Sequence, residues 1–157
     1  MSNVYHLGLC MAGSISAGAY TAGVMDYLIE ALNAWEEAKK QDDSVPGHQV
    51  VIDLLCGASG GGITAAMSLF AMHDQMDHVQ LKPDGINYTK PKNNILWDCW
   101  VELDGGNTFM QMLIPDDLNK GYVPSGFNSQ FIDRVADKFR KYMNHLVEKK
   151  PSKPAWM

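Results

Sequence analysis

A serine flanked by glycines has the spacing of a hydrolase nucleophile. Ser59 lies in the stretch Gly57-Ala58-Ser59-Gly60-Gly61, called the serine turn below (residues 57–61), which has the pattern Gly-x-Ser-x-Gly. A sharp turn from a strand into a helix holds such a serine in a strained conformation with its hydroxyl exposed. The small residues on both sides let the strand and the helix approach closely. The serine turn therefore predicts acyl transfer with Ser59 as the nucleophile.

Glycine-rich turns also serve as plain connections or as phosphate-binding loops. For a dinucleotide site, Ile63 stands where a third glycine is needed. Residues 13–18 have the length of a P-loop, but Ala19-Tyr20 replaces the Lys-Ser/Thr pair that such a loop requires. The sequence thus favours the nucleophile over a plain turn and predicts no nucleotide and no other cofactor.

A second small-residue turn lies near the N-terminus. Residues 12–18, called the glycine loop below, follow an apolar run and lead into a helical pattern. A loop that feeds a helix start can point several backbone N–H groups at an oxyanion, which acyl transfer requires. Taken alone, this loop is explained better by close packing of small residues.

The elements around the two turns follow the order strand, helix, strand, helix. Residues 4–11 are apolar and rich in strand formers, and residues 50–56 are almost continuously apolar, as in a strand covered on both faces of a parallel sheet. Helices are predicted over residues 17–40 and from Ile63 to about Met76. The order indicates an α/β domain with a layered parallel sheet flanked by helices. The first helix is predicted to bury one apolar face, made of Tyr20, Val24, Leu28, Leu32 and Trp35.

The second half of the chain has weaker patterns. Residues 81–94 are predicted as a loop and residues 94–103 as a short helix. An amphipathic helix is predicted from Ser129, with Ser129 or Asn128 as its cap. Its predicted apolar side consists of Phe131, Ile132, Val135, Ala136, Phe139, Met143 and Leu146. Residues 150–157 contain two prolines and have no predicted partner element.

Length and composition indicate one globular domain. The chain has 157 residues, of which 46% are hydrophobic and 20% charged. The formal net charge of -5 gives no electrostatic attraction for nucleic acid. No run reaches the roughly 18 apolar residues of a membrane span, so no transmembrane segment is predicted. Two strands bury too little for a complete sheet, so we expect residues 1–157 to be the N-terminal portion of a single domain.

The cysteines and the basic residues indicate in which cellular compartment the protein acts. Cys10, Cys56 and Cys99 form neither a metal-binding spacing nor an even set for disulfides, which favours a reduced, cytoplasmic setting. Cys10 and Cys56 each end an apolar run and are predicted to be small core residues. A basic cluster is interpreted first as a solvated helix face, and weak attraction to an anionic membrane surface stays open as the alternative. This cluster consists of Arg140, Lys141, Lys149, Lys150 and Lys153.

Together, the two turns resemble those of the patatin-like phospholipase family. The resemblance covers roughly residues 4–70 and rests on residues 7–13, on Gly18-Ala19-Tyr20-Thr21-Ala22-Gly23-Val24 and on the serine turn. Both motifs stand at the family's separation, each on a strand-to-helix turn. The resemblance implies a patatin-like α/β fold and a lipid acyl hydrolase that cleaves lipid or other acyl esters with a Ser-Asp dyad and no histidine. In that family the first turn is a glycine triplet followed by an arginine, and it forms the oxyanion hole.

The glycine loop departs from the family pattern. Gly13 keeps one glycine of the triplet, Ser14 and Ile15 replace the other two, and Ala17 stands in place of the arginine. Because the hole uses backbone N–H groups, we expect the amides of Gly13, Ser14, Ile15 and Gly60 to form it. A position that needs φ > 0 would cost about 1 kcal/mol or more with isoleucine. A catalytically inactive patatin-like interaction or regulatory module is therefore the alternative to an enzyme.

The serine needs a base, and two positions for it are open. The family supplies an aspartate from an Asp-Gly-Gly or Asp-Gly-Ala turn on a later strand. Asp104-Gly105-Gly106 has these letters, but it lies only 45 positions after Ser59 and follows no clear strand. An ordinary helix-ending turn explains it better. We expect the dyad aspartate to lie beyond Met157, with Asp104 as the alternative.

A Ser-Asp-His triad and a metal site are two further possibilities with weaker support from the sequence. Ser59, Asp104 and His145 follow the chain order of an α/β-hydrolase triad, but His145 lies in a stretch rich in Lys and Arg that is typical of a solvated helix. Residues of a helix end pair at i,i+4 and resemble metal ligands, but no third ligand converges on them, so no metal is predicted. These residues are His73, Asp74, Asp77 and His78.

Overall fold

The computed structural model describes residues 3–14, 17–102, 108–122, 126–150 and 153–157. Its strands are β1 (Val4–Met11), β2 (Gln49–Gly57), β3 (Gln80–Leu81) and β4 (Tyr88–Thr89). Its α-helices are α1 (Gly18–Gln41), α2 (Gly60–Ala71), α3 (Ile95–Trp100), α4 (Thr108–Gln111) and α5 (Gln130–Lys149), and Pro115–Lys120 is a 3-10 helix. The predicted α/β class is confirmed.

The two long strands run parallel and end together. β1 pairs with β2 from Val4 opposite Gln49 to Met11 opposite Gly57, with an irregularity between Leu7 and Gly8. Because parallel strands end at the same edge of a sheet, the glycine loop and the serine turn leave that edge side by side. The sheet thus positions the two turns that carry the predicted chemistry.

Helix α1 has the predicted length but buries only part of the predicted face, since Leu32 is buried and Leu28 and Trp35 pack against the core. Its buried residues are Gly18, Ala22, Met25, Asp26, Ile29 and Leu32. Tyr20 and Val24, which were expected in the core, are 76% and 49% exposed. Ala22, Met25 and Ile29 also recur at steps of three and four, so the pattern alone cannot choose between the two faces. Packing against α3 selects the face that begins with Gly18, because the ring of Trp100 lies directly against Gly18.

The core lies between one face of the sheet and the helices. Ile29, Ile95 and Leu96 are almost fully buried there. On the opposite face Leu54 is 55% exposed, so in the described part of the chain β2 is not covered on both faces as predicted. The expectation that Cys10 and Cys56 are core residues is wrong for the same reason, since Cys10 is exposed and Cys56 is half-buried. Cys99 is the buried cysteine.

The middle of the chain has more structure than its sequence indicates. Helix α2 ends at Ala71 rather than near Met76, and the predicted loop contains the antiparallel β3–β4 hairpin. The carboxylate of Asp84 stabilises the hairpin turn by accepting hydrogen bonds from the amides of Ile86 and Asn87 at 2.9 and 2.8 Å. Helix α3 is confirmed, with Asn94 accepting at its N-terminus from the amide of Trp97 at 3.0 Å.

The C-terminal residues also differ from expectation. Asn128 is the cap of α5, because its side chain accepts from the amide of Gln130 at 3.0 Å, whereas Ser129 makes no side-chain cap. Residues 153–157 were expected to have no partner, which is wrong. The carbonyl of Trp156 accepts from the amide of Ile52 in β2 at 3.1 Å, and its buried ring donates to Asn33 at 2.9 Å. A single large apolar ring in a turn supplies the contact that the periodicity could not reveal.

Candidate active site

Ser59 has the backbone conformation expected of a strained turn. Its φ and ψ are 49° and -123°, and among the described residues only Ser59 and Lys150 have positive φ without being glycine. Such a conformation costs on the order of 1–3 kcal/mol and persists only where the surrounding structure enforces it. Ser59 is exposed and immediately precedes α2. Its hydroxyl is therefore presented to solvent at the positive end of a helix.

The glycines of the serine turn are required by close backbone contacts. A Cβ atom on Gly57 would lie 2.5 Å from the carbonyl carbon of Gly61. A Cβ atom on Gly61 would lie 2.5 Å from the carbonyl oxygen of Ala12 and 2.6 Å from the carbonyl carbon of Met11. The end of β1, the end of β2 and the start of α2 thus meet with no room for side chains. This contact is the structural constraint that enforces the conformation of Ser59.

Residues 12–14 of the glycine loop lie against the serine turn. The amide of Ala58 donates to the carbonyl of Met11 at 3.2 Å. A Cβ atom on Gly13 would lie 3.3 Å from the Cβ of Ser59, so Gly13 is adjacent to the serine side chain. The carbonyl of Ser14 lies directly beside Gly60. The structure therefore brings Gly13, Ser14, Ser59 and Gly60 together, while Ile15 lies outside the described residues.

Several amides at this junction are available for a ligand. Gly60 is the first residue of α2, and the first four N–H groups of a helix have no partner within it. Ala58 and Ser59 accept from the amides of Gly61 and Ile63 at 2.9 and 3.1 Å. In the described ranges, no backbone carbonyl accepts from the amides of Gly13, Ser14 or Gly60. These three N–H groups belong to the predicted oxyanion hole, together with that of Ile15, which lies outside the described residues.

Trp100 is a residue of this site that the sequence analysis missed. A Cβ atom on Gly18 would lie 2.5 Å from Cε3 of its ring, and one on Gly60 would lie 3.2 Å from Cη2. The indole therefore packs between the first residues of α1 and α2. The indole N–H of Trp100 and the hydroxyl of Ser14 are buried and have no hydrogen-bond partner among the described residues. The available signal was the glycine at the start of α1, which indicates a close neighbour but not its identity.

Asp104 and His145 are the two residues of this chain that were considered as partners of Ser59. Asp104 lies outside the described residues, so its role stays a prediction. His145 is exposed on α5 and lines a cavity of about 620 Å³ together with Lys138 and Tyr142. Ser59 is not among the residues that line this cavity. The contacts of His145 thus give no support to a Ser-Asp-His triad.

The residues that resemble metal ligands make structural contacts instead. The imidazole of His73 is 2.8 Å from the carbonyl of Leu69, and the hydroxyl of Tyr142 donates to Asp74 at 2.8 Å. The His78 ring is 2.8 Å from the carboxylate of Asp26 in α1. Within the described ranges, no three His, Cys, Asp or Glu side chains are grouped to hold a metal ion. These residues fasten the end of α2 to α1 and α5.

Asp26 and His78 form a pair whose pKa values shift in opposite directions. Burial opposes ionisation of Asp26, but hydrogen bonds from His78, the amide of Val79 and Asn94 outweigh it and lower its pKa. The hydrogen bond to Asp26 raises the pKa of His78, against the opposing effect of burial. The pair links α1 to the segment after α2.

Comparisons with known proteins agree with the fold. The sequence model of the family described as "Patatin-like phospholipase" matches residues 9–148. The chain is also similar to the "Uncharacterized protein y4iI" of Sinorhizobium fredii (strain NBRC 101917 / NGR234), with 50% identity over 68 residues, or 43% of this chain. These residues span 10% of that relative's length. No solved structure matches the chain. Among the described helices, none combines the length and the hydropathy needed to cross a bilayer.

Proposed function

Because this chain belongs to the patatin-like phospholipase family, we propose that it hydrolyses acyl esters of lipids with Ser59 as the nucleophile. The main support for the proposal is the positive φ of Ser59, which lies on a turn packed against the end of β1. A serine in an ordinary turn needs neither this strain nor glycines on both sides. The proposal treats residues 1–157 as part of a single catalytic domain.

The proposed reaction is an acyl transfer in two steps. The hydroxyl oxygen of Ser59 attacks the ester carbonyl carbon while its proton passes to a carboxylate base. The carbonyl oxygen becomes an oxyanion, which accepts hydrogen bonds from the amides of Gly13, Ser14 and Gly60. The ester C–O bond then breaks, the departing alcohol takes the proton, and the acyl group stays on Ser59. Water, deprotonated by the same base, attacks the acyl group, releases the acid and restores the serine hydroxyl.

The base in this proposal is an aspartate, either Asp104 or a residue beyond Met157. Two carboxylates of the described core, Asp26 and Asp74, are engaged in other contacts. Asp26 accepts three hydrogen bonds from His78, Val79 and Asn94. Asp74 accepts from Asn93 and Tyr142 at 3.0 and 2.8 Å. Both carboxylates are engaged in fastening helices, so a different aspartate must serve the serine.

The surroundings of Ser59 support an apolar substrate. Tyr20 in the first turn of α1 and Ile63 in the first turn of α2 are exposed apolar residues next to the glycine loop and the serine turn. A lipid acyl chain covers such residues, whereas a small polar ester leaves them in water. Contact with a membrane surface is part of this proposal, because a lipid substrate resides there.

Release of fatty acid from phospholipid vesicles tests the proposal. Phosphatidylcholine vesicles are incubated with the purified protein, and free fatty acid is measured by mass spectrometry. We expect release by the wild type and by Ser44→Ala, whose serine lies in an exposed loop, and none by Ser59→Ala. Equal release by a correctly folded Ser59→Ala variant would exclude Ser59 as the nucleophile. No release by any of the three, with simple acyl esters also left intact, would identify an inactive patatin-like module.

A further inference from the structure

Two of the three cysteines are neighbours on the sheet. Cys10 in β1 is in register with Cys56 in β2. The neighbouring Cys10 thiol raises the pKa of Cys56. Adjacent strands lie about 4.8 Å apart, within the roughly 4.4–6.8 Å between Cα atoms that a disulfide spans. The Cα separation of the pair is therefore within the range that a disulfide spans.

The pair is accessible from the face of the sheet opposite the core. Cys10 is exposed and Cys56 is half-buried, and neither belongs to the hydrophobic core. Cys99 is 2% exposed, and burial raises its pKa to about 12. Since the thiolate is the reactive form, Cys99 is inert under the same conditions. Reactivity towards thiol reagents is thus confined to the strand pair.

The position of the pair connects it to the candidate active site. The next residue after Cys10 is Met11, whose carbonyl accepts from Ala58, and the next residue after Cys56 is Gly57. Both following residues belong to the close backbone contact that enforces the conformation of Ser59. A disulfide needs Cβ atoms about 3.5–4.5 Å apart, which is less than the strand spacing. Closing the bond therefore draws the strand ends together one residue before both turns.

We propose that Cys10 and Cys56 form a dithiol modification site, which closes to a disulfide with peroxide and chelates trivalent arsenicals. The exposed Cys10 thiolate attacks one oxygen of hydrogen peroxide, breaks the O–O bond and becomes a sulfenic acid, with hydroxide leaving. The Cys56 thiolate then attacks the Cys10 sulfur, forms the S–S bond and expels the second oxygen as hydroxide. The two thiol protons convert both hydroxides to water, and the cysteine pair has lost two electrons to the peroxide.

Peptide mapping of the oxidised protein tests the pair directly. The folded wild type is treated with hydrogen peroxide, alkylated without reduction, digested and analysed by mass spectrometry. We expect one cross-linked peptide that joins Cys10 to Cys56, and the same peptide in Cys99→Ala. Cross-links that involve Cys99, or intermolecular ones only, would overturn the proposal. Because this measurement uses the wild type, it does not depend on whether strand variants fold.

Arsenical binding gives a second readout that needs no oxidation. We expect folded wild-type protein to bind one equivalent of phenylarsine oxide, and Cys10→Ser and Cys56→Ser to bind none. Binding retained in either serine variant would contradict a site made of these two thiols.

The effect of the disulfide on Ser59 rests on the proposed function, whereas the disulfide itself does not. A displacement of about 1 Å in an active site can reduce a rate about 100-fold, so we expect fluorophosphonate labelling of Ser59 to slow on oxidation and recover with dithiothreitol. A wild-type protein that forms the cross-link but never labels would disprove the proposed function and leave the dithiol site standing. Labelling that is equally fast before and after complete cross-linking would overturn the coupling.

Discussion

Gly61 is so close to the end of β1 that a side-chain carbon on it would lie 2.6 Å from the carbonyl carbon of Met11. The second glycine of the Gly-x-Ser-x-Gly pattern is thus required by a strand 50 positions earlier in the chain. This contact ties the serine turn to the glycine loop. It also fixes where α2 begins and therefore where its N-terminal amides point.

Replacing this glycine disrupts the junction. We expect Gly61→Ala to lower the free energy of unfolding by about 3 kcal/mol, because the new methyl group meets backbone atoms that cannot move independently. Gly23→Ala is the matched control, since a Cβ atom there has nothing within 4 Å and lies in α1. This control should stabilise the protein by about 0.5–1 kcal/mol. Urea unfolding measures both, and equal stability of the two variants would contradict the close contact.

Trp100 holds the starts of α1 and α2 at a fixed separation. Truncation in Trp100→Ala removes the ring that packs on Gly18 and Gly60, so we expect a loss of about 3 kcal/mol in unfolding free energy. Tyr20→Ala removes an exposed aromatic ring from the same helix start and should change stability by less than about 0.5 kcal/mol. Denaturant titrations of the two variants provide the comparison. A larger loss for Tyr20→Ala would mean that Tyr20 is buried, as predicted from the sequence.

The Asp26–His78 pair makes stability depend on pH in two directions. The pKa of His78 is raised, so its contribution is complete below its ordinary value of 6.5 and is lost as pH rises through the higher folded-state value. The pKa of Asp26 is lowered, so its contribution is complete above its ordinary value of 3.8 and is lost as pH falls through the lower folded-state value. Glu30 and Asp77 also face His78 and raise its pKa further. The pair therefore stabilises the fold most between these two ordinary values.

Urea midpoints of the wild type and of His78→Gln, measured from pH 5 to pH 9, test this dependence. Glutamine can still donate to Asp26 but does not titrate. We expect the advantage of the wild type over the variant to shrink as pH rises above 6.5. A difference that is constant over this range would show that His78 does not carry the pH dependence.

Asn128 and Ser129 are neighbours at the N-terminus of α5, but only the side chain of Asn128 caps the helix. Asn128 accepts from Gln130 and donates to the carbonyl of Ile114 at 2.9 Å, whereas Ser129 makes no side-chain cap. Asn128→Ala should therefore cost about 1–2 kcal/mol, and Ser129→Ala less than about 0.5 kcal/mol. Thermal unfolding of the two variants separates them. A greater loss for Ser129→Ala would reverse the assignment of the cap.

The local sequence pattern predicted the strands and helices that position the site. The contacts between residues far apart in the chain depend on packing and could not be predicted. β1, the extent of α1 and the close approach at Gly57 and Gly61 follow from apolar runs, periodicity and glycine spacing. At the start of α1 the prediction was wrong for Tyr20 and Val24, because packing of Trp100 on Gly18 buries the neighbouring face there, whereas Leu32 is buried as predicted. The backbone hydrogen bond from Ile52 to Trp156 joins residues 104 positions apart, which no local pattern encodes.

Covalent labelling of Ser59 tests the central claim most directly. The folded protein is incubated with a fluorophosphonate under reducing conditions, and the modified residue is located by peptide mass spectrometry. We predict a single phosphonylated residue, Ser59, with labelling abolished in Ser59→Ala and unchanged in Ser44→Ala. Labelling at another residue that persists in Ser59→Ala, or a folded wild-type protein that does not react, would contradict the assignment of Ser59 as an activated nucleophile.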